Sequence, residues 1–335
     1  MSIIRALKGK NTWVFSALIV FTILTVIVSI TYGPATITRA DIFQCVMYEC
    51  ASPMHDMVIW QIRIPRVLVG LVAGMGLACA GAILQNVTRN PLADPYLFGI
   101  ISGAGLGATI ATFTLGDQQS LALPLAAFLG ALFSVVIVFG IATLLRNMNH
   151  LLLTGVAVSF MLGSISHFIL YLGDPFATNR VIFWLMGSLA RVEMFHFYLI
   201  GAMVLLTLLT IFALHRQIDA RLLGDESAAS LGVNIDKLRL ILLALCAAVT
   251  ATIVAYCGGI GFVGLMIPHI VRQLVGVTTM PLIIGSALVG GCFLVWVDVA
   301  ARSAFSNVEI PIGIITSAIG SIFFLAIMYR TRKTG

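Results

Sequence analysis

Charge is scarce in this sequence. Lys and Arg number 19 and Asp and Glu 13 among 335 residues, or 10%, where a soluble domain carries ~25%. Such a chain cannot cover itself with a water-compatible surface. The only lysines are Lys8, Lys10, Lys237 and Lys333, and none follows Gly and precedes Ser or Thr. A P-loop is therefore absent, and the chain does not bind ATP in the Walker manner. No HExxH and no Gly-x-Ser-x-Gly occurs, and the six cysteines and six histidines form no group with zinc-ligand spacing. These absences leave no catalytic residue, no metal site and no cofactor site to name, so an intramembrane enzyme is a distant reading. Acidic residues are almost missing from the apolar stretches, with Asp298 near an outer membrane edge the main exception. An ion-coupled secondary transporter usually needs buried ionisable groups on its ion path, so that reading is a rival rather than the first choice.

What the chain has in excess is apolar length. Hydrophobic residues make up 60% of it, and the mean hydropathy is +1.08. Runs of about 20 apolar residues, the length that crosses ~30 Å of hydrocarbon as helix, recur from end to end. They are continuous and rich in Leu, Ile, Ala and Gly, unlike the short alternating segments of a membrane barrel. Ten runs are counted, at 13–32, 62–86, 96–114, 121–145, 151–172, 196–214, 238–256, 260–275, 281–301 and 310–329; the eighth is short and interrupted by Pro268. The fold class is all-α, a polytopic membrane protein with about ten transmembrane helices. An even count puts both termini on one side. With the N-terminus inside, 13 of the 19 basic residues, including all four lysines, fall on the cytoplasmic side and 6 outside, as the positive-inside rule requires. Arg39, Arg63, Arg66, Arg180, Arg191 and Arg302 are the outer six. The net charge of +6 is spread as topology anchors, so no nucleic-acid partner is needed to explain it. The first run is longer than a signal-peptide core and lacks a small-residue cleavage site, so it reads as a retained anchor. Cys79, Cys246 and Cys292 lie in apolar runs as packing residues; Cys45 and Cys50 lie in the first outer loop, where a disulfide is one possibility.

The chain reads as one permease domain, 1–335, with no soluble domain. Its largest polar stretch, 215–239, lies on the cytoplasmic side, and within it Asp225 to Gly232 reads as one short helix. Asp225 is the expected N-cap, Glu226 adds charge to the first turn, and Gly232 can close the helix in the left-handed conformation. Small residues recur at spacing four: Gly70, Gly74, Ala78 and Ala82; Gly99, Gly103, Gly107 and Ala111; Gly155, Ser159 and Gly163, with His167 next in register. Such stripes let helix backbones approach closely.

Four segments carry more than class. Arg63-Ile64-Pro65-Arg66 opens the second run, which is followed by Arg89-Asn90-Pro91-Leu92-Ala93-Asp94-Pro95. Two prolines four apart cannot sit in one regular helix, so 90–95 must be a fixed cytoplasmic turn. The others are Leu223-Gly224-Asp225-Glu226 through Ser230-Leu231-Gly232-Val233, then 258–265 (GGIGFVGL) with Pro268-His269, and Asp298 to Arg302 followed by Glu309-Ile310-Pro311-Ile312-Gly313. Together they resemble the permeases of the iron-chelate, haem and cobalamin ABC importers over residues 55–330.

The resemblance implies a cobalamin-permease-like fold in a bacterial inner membrane. It implies a second permease copy around a central path, two cytoplasmic ATPase subunits, and a periplasmic substrate-binding protein. Carried onto matching positions, Arg63, Arg66 and Arg302 are the expected docking residues for the binding protein, a task that suits the arginine fork. Asn90, Pro91 and Leu92 are the expected cytoplasmic gate, with a second, weaker gate at 147–150. Leu223, Gly224, Asp225, Glu226, Ser230, Leu231 and Gly232, within a coupling element at about 219–233, are expected to meet the ATPases. Gly155, Ser159, Gly163 and His167 share a face of the fifth run; they line either the path or a packing seam. Asp298 and Arg302 share a helix face, so Asp298 is read as the residue that holds Arg302. His269 is read as structural. A ferric siderophore is the leading substrate and haem the next, with cobalamin or a molybdate-like oxyanion as alternatives.

Overall fold

In a computed structural model of the chain, the described residues are 11–33, 37–115, 122–144, 151–305 and 308–332. All ten apolar runs form helices, joined by the shorter α2, α7 and α9: α1 Asn11–Ile30; α2 Arg39–Met47; α3 Ile64–Thr88; α4 Ile100–Leu115; α5 Ala122–Leu144; α6 Leu151–Leu172; α7 Pro175–Leu185; α8 Met194–Ala220; α9 Asp225–Ser230; α10 Ile235–Cys257; α11 Val263–Val275; α12 Thr279–Ser303; and α13 Ile312–Arg332. A short turn of helix at Pro53–Asp56 and a π-helical stretch at Met57–Arg63 lead into α3 without a break. Eight of these helices are long and apolar enough to cross a membrane. The other two apolar runs, α4 and α11, have 16 and 13 residues. At 1.5 Å per residue they reach only about 24 and 20 Å, short of the hydrocarbon thickness.

The core is built on α3, α10 and α12, whose most apolar windows are 78%, 67% and 72% buried, against 22% for α1 and α13. Two of the small-residue stripes are intramolecular seams. A Cβ on Gly74 would collide with the Gly290 carbonyl of α12, and one on Gly103 or Gly107 with the carbonyls of Gly130 and Ala126 in α5. Removing side chains at these positions brings backbones into van der Waals contact, which is what holds helices together where no water drives association.

α11 shows how the interior accommodates a proline. Pro268 sits inside this helix rather than ending it. It has no N–H to offer the Gly264 carbonyl four residues earlier. Gln85 of α3 supplies that donor, its Nε2 lying 3.2 Å from Gly264 O and 3.2 Å from Leu265 O. Arg272 in turn donates to Gln85 Oε1 at 3.1 Å. The backbone deficit created by one residue is met by a buried amide more than 180 positions away in sequence.

One expectation about these elements needs correction. Asp225 is not the N-cap of α9: Gly224 occupies that position at φ 114°, and Asp225 is the first helical residue. Gly232 does close the helix at φ 83°, with the Gly232 and Val233 amides donating to Ala229 O and Ala228 O, a complete Schellman pattern. Cys45 and Cys50 are joined in a disulfide, with Cα atoms 4.0 Å apart. The stretch 147–150, expected as a second gate, lies outside the described residues.

Candidate functional site

The turn that follows α3 is built from local hydrogen bonds. Arg89 ends the helix in the left-handed conformation at φ 52°. Asn90 Oδ1 accepts from the Leu92 amide at 2.9 Å, and Asn90 O accepts from the Ala93 amide at 3.1 Å. Asp94 then caps the 3-10 turn Pro95–Phe98, its Oδ1 accepting from the Tyr96 amide at 2.9 Å. Burial pushes the Asp94 carboxyl up to about 6, with the Tyr96 amide pulling the other way. The Tyr96 hydroxyl oxygen accepts from the Ile260 amide at 3.0 Å. The turn is thereby tied to the non-helical stretch between α10 and α11.

That stretch and the turn border a cavity of about 690 Å³. Leu92, Asp94, Tyr96 and Leu97 line one wall, Ile101 of α4 with Leu185 at the end of α7 and Met186 after it a second, and Gly259, Gly261, Phe262 and Leu265 a third. Gly313, Ile314 and Ser317 of α13 complete it. Backbone bonds tie together the segments beside Met186 and Gly313 of this lining. Ser188 N donates to Cys257 O at 2.9 Å, Ile312 N to Gly187 O at 3.0 Å, and Gly313 N to Met186 O at 3.1 Å. Gly187 and Gly258 both have φ near 70–77°, and a Cβ on Gly258 would collide with the Trp184 carbonyl. Only glycine permits both the conformation and the contact. Phe262, which starts α11, takes a left-handed φ of 67° with a full side chain. It is held there by close packing of its ring against Gly320, the kind of local strain that clusters at functional sites.

The outer end is organised around one buried carboxylate. Arg66 Nε lies 2.8 Å from Asp298 Oδ1, and Arg302 Nε lies 3.3 Å from Asp298 Oδ2. The two terminal nitrogens of Arg66 grip Glu309 at 3.0 and 2.9 Å. Arg302 also donates to Ser29 O at 3.1 Å and Arg63 to Ile30 O at 3.0 Å, so two arginines satisfy carbonyls at the C-terminal end of α1. Arg63, Arg66 and Arg302 are 3%, 5% and 3% exposed and Asp298 1%. The expected docking arginines are thus spent on internal partners, and none lies open on the outer face. Asp298 does hold Arg302, and it holds Arg66 as well.

Near the C-terminal end of α3 one carboxylate again collects arginines. Asp225 lies 3.0 Å from Arg89, 3.1 Å from Arg221 and 3.4 Å from Arg239. Leu223 and Leu231 beside it are 70% and 67% exposed, and Glu226 and Ser230 are exposed on the same short helix.

The α6 stripe is not part of the cavity lining. Gly155 packs on the 3-10 turn, where a Cβ would collide with Leu97 O. Ser159 donates to Gly155 O at 2.7 Å, Gly163 is half-buried with only Ser102 Oγ near, and His167 is exposed. In this chain the lower half of the stripe is a packing seam. The lining residues not singled out from sequence are Tyr96, Leu97, Ile101, Leu185, Met186, Ile314 and Ser317. The glycine-rich 258–265 segment and Gly313, motifs to which the sequence alone assigns no role, form cavity wall.

The cavity walls are apolar, with one carboxyl and a few hydroxyls, and no nucleophile and base face each other among the described residues. The one cluster of possible metal ligands among the described residues is Cys45, Cys50 and Asp56, and its two sulfurs are bonded to each other. The sequence profile of the FecCD transport family matches residues 21–330. The chain belongs to the FecCD transport family. Relatives include the hemin transport system permease protein HmuU of Yersinia pestis, 37% identical over 82% of this chain and 84% of that one. The vitamin B12 import system permease protein BtuC of Escherichia coli is 32% identical over 99% of this chain and all of that one. A solved metal-chelate type ABC transporter in an inward-facing conformation has 30% identity and a TM-score of 0.84, covering 95% of this chain and 99% of that one. As a FecCD permease the chain is a multi-pass transport subunit of an ABC importer, and three of the four family-resembling segments, 89–95, 258–265 and 309–313, contribute to its cavity wall.

Proposed function

We propose that this permease carries a metal chelate, a ferric siderophore first and haem second, inward across the inner membrane, driven by ATP hydrolysis on separate ATPase chains. The observation that supports this most directly is the cavity itself. Backbone hydrogen bonds tie together the Met186, Gly187 and Gly313 segments beside it, and Leu92, which is 44% exposed, lines its wall. Apolar walls of this kind hold a bulky chelate weakly, so it can leave. In this reading Asn90, Pro91 and Leu92 form the cytoplasmic gate. A second copy of the permease supplies the other half of the path, with His167 and the upper part of α6 on the free face toward it. The exposed leucines around Asp225–Ser230 are the contact for the ATPase.

The buried arginines revise the docking proposal. A binding protein that reaches Arg66 with a carboxylate would have to displace Glu309, whose side chain is 38% exposed. The outer arginines would otherwise support the docking face from beneath. The decisive experiment reconstitutes the permease with its ATPase and binding protein in liposomes and follows ATP-dependent uptake of ⁵⁵Fe-labelled hydroxamate siderophore, haem and cobalamin. Uptake of none of the three, with the assembled complex hydrolysing ATP, would refute the chelate assignment.

A further inference from the structure

The cytoplasmic arginine cluster joins two parts that the proposed function treats separately. Arg89 directly precedes the gate residues, and its side chain leaves the turn to reach the docking element. There Nη2 donates to Asp225 Oδ1 at 3.0 Å and to Arg221 O at 3.3 Å. Arg221 makes the reverse crossing. It is 3% exposed, its Nη2 donates to Val87 O at 3.3 Å, and its Nε donates to Asp225 Oδ1 at 3.1 Å. Each segment's side chain thus holds the other segment's backbone, and both bind the same carboxylate. Beyond Arg89 the chain has little freedom: two prolines, the Asn90 and Asp94 side-chain bonds, and the Tyr96 hydroxyl on Ile260 run without a gap to the cavity wall.

From this cross-brace we infer that Arg89 is a positioning residue that transmits motion of the Asp225–Ser230 element to the Asn90–Pro91–Leu92 turn, so that gate position follows the state of the docked ATPase. The inference rests on the proposed reading of those two elements as ATPase contact and gate. Arg221 and Arg239 hold Asp225 from the element's own flanks, so loss of Arg89 leaves the element folded and in place. What it removes is the carboxylate's bond to the turn. Half of the Arg89 side chain is exposed, and an exposed pair contributes little to stability. Its effect belongs in coupling and not in folding.

The test uses the complete transporter with its ATPase and binding protein in liposomes. Arg89→Gln should lower chelate carried per ATP hydrolysed by about fivefold, the equilibrium equivalent of one exposed charge pair. ATPase co-purification should stay unchanged, and Arg89→Lys should recover much of the ratio. In a Leu92→Cys background, labelling by a hydrophilic maleimide should change on trapping with ATP and vanadate, and Arg89→Gln should abolish that change. A purely structural role would reduce assembly and leave the ratio intact. An unaltered ratio, or nucleotide-dependent labelling that persists in Arg89→Gln, overturns the inference. Leu231→Asp checks the reading beneath it: undiminished ATPase binding by that variant would show that the element is not the ATPase contact, whatever Arg89 does.

Discussion

Replacing Asp298 with Asn tests the outer node with almost no change in volume. The carboxylate is buried and faces two buried guanidinium groups, Arg66 at 2.8 Å and Arg302 at 3.3 Å. In the variant, Oδ1 can still accept from Arg66, but the amide nitrogen turns a donor toward Arg302. Arg66 keeps its two bonds to Glu309, so the loss falls mainly on Arg302, left with Ser29 O. Breaking a buried pair by removing one partner costs about 3–5 kcal/mol, and the share retained by Arg66 puts the expected loss near the lower end. Trp296, two residues away and hydrogen-bonded to Thr25 at 3.2 Å, is a fluorescence reporter for reversible unfolding in mixed micelles. Adding Arg302→Met removes the stranded charge, so the double variant should be more stable than the sum of the single effects by about 1–3 kcal/mol. A loss under about 1 kcal/mol for Asp298→Asn, or a double variant additive to within about 0.5 kcal/mol, would refute the account of this node.

Asp94 gives a pH dependence. Its folded-state value of about 6 lies above the ordinary 3.8, so protonation favours the folded chain. Its contribution is most favourable below pH 4 and is lost as pH rises to about 6, a swing of about 3 kcal/mol; Asp94→Asn should flatten the stability profile across that window. Gln85→Leu should cost about 1–3 kcal/mol in the same unfolding assay by leaving Gly264 O and Arg272 without their partner. Gly155→Ala should destabilise by about 1–3 kcal/mol through overpacking on Leu97 O, whereas Gly163→Ala, with only Ser102 Oγ at 3.9 Å, should be neutral or gain up to about 1 kcal/mol. A cysteine placed at Ser227 should resist an impermeant maleimide added from outside intact cells and react once the membrane is opened; labelling from outside would invert the topology.

The helical class and the placement of the spans were legible because a long apolar run has few alternatives in lipid. The 90–95 turn was legible because two prolines leave no helix to draw. Two short helices between the spans went unread, although Thr38 before Arg39–Met47 and Asp174-Pro175 before α7 are ordinary start signals. Their apolar content is too low to stand out beside membrane spans. The fate of the outer arginines was not legible, because one-sided topology rules place a side chain near an interface without saying what it meets. Only the fold brings Glu309 back onto Arg66 across 243 positions. The Pro268 and Gln85 pairing was hidden for the same reason. A proline announces an orphaned carbonyl, but nothing local says which distant donor answers it.

α3 connects the two ends. Its outer start carries Arg63 and Arg66, its inner end carries Arg89, and its middle contacts α12 at Gly74 and α11 at Gly81, where a Cβ would strike the Gly264 carbonyl. Backbone contact along both seams leaves no compressible side chain through which α3 could slide or tilt by a few ångströms. Close-packed interfaces of this kind hold one arrangement or exchange for another as a whole. A change of access is therefore expected in the elements that meet this rod through side chains or single hydrogen bonds. These are the Leu92 turn and the hydrogen-bonded Met186, Gly187 and Gly313 segments beside the cavity. The Asp298 node and the Asp225 node have opposite tasks in that scheme. The first carries buried pairs and fixes the rod against α1 and α12. The second is half-exposed, shares one carboxylate among three arginines, and can release Arg89 without releasing the element it belongs to.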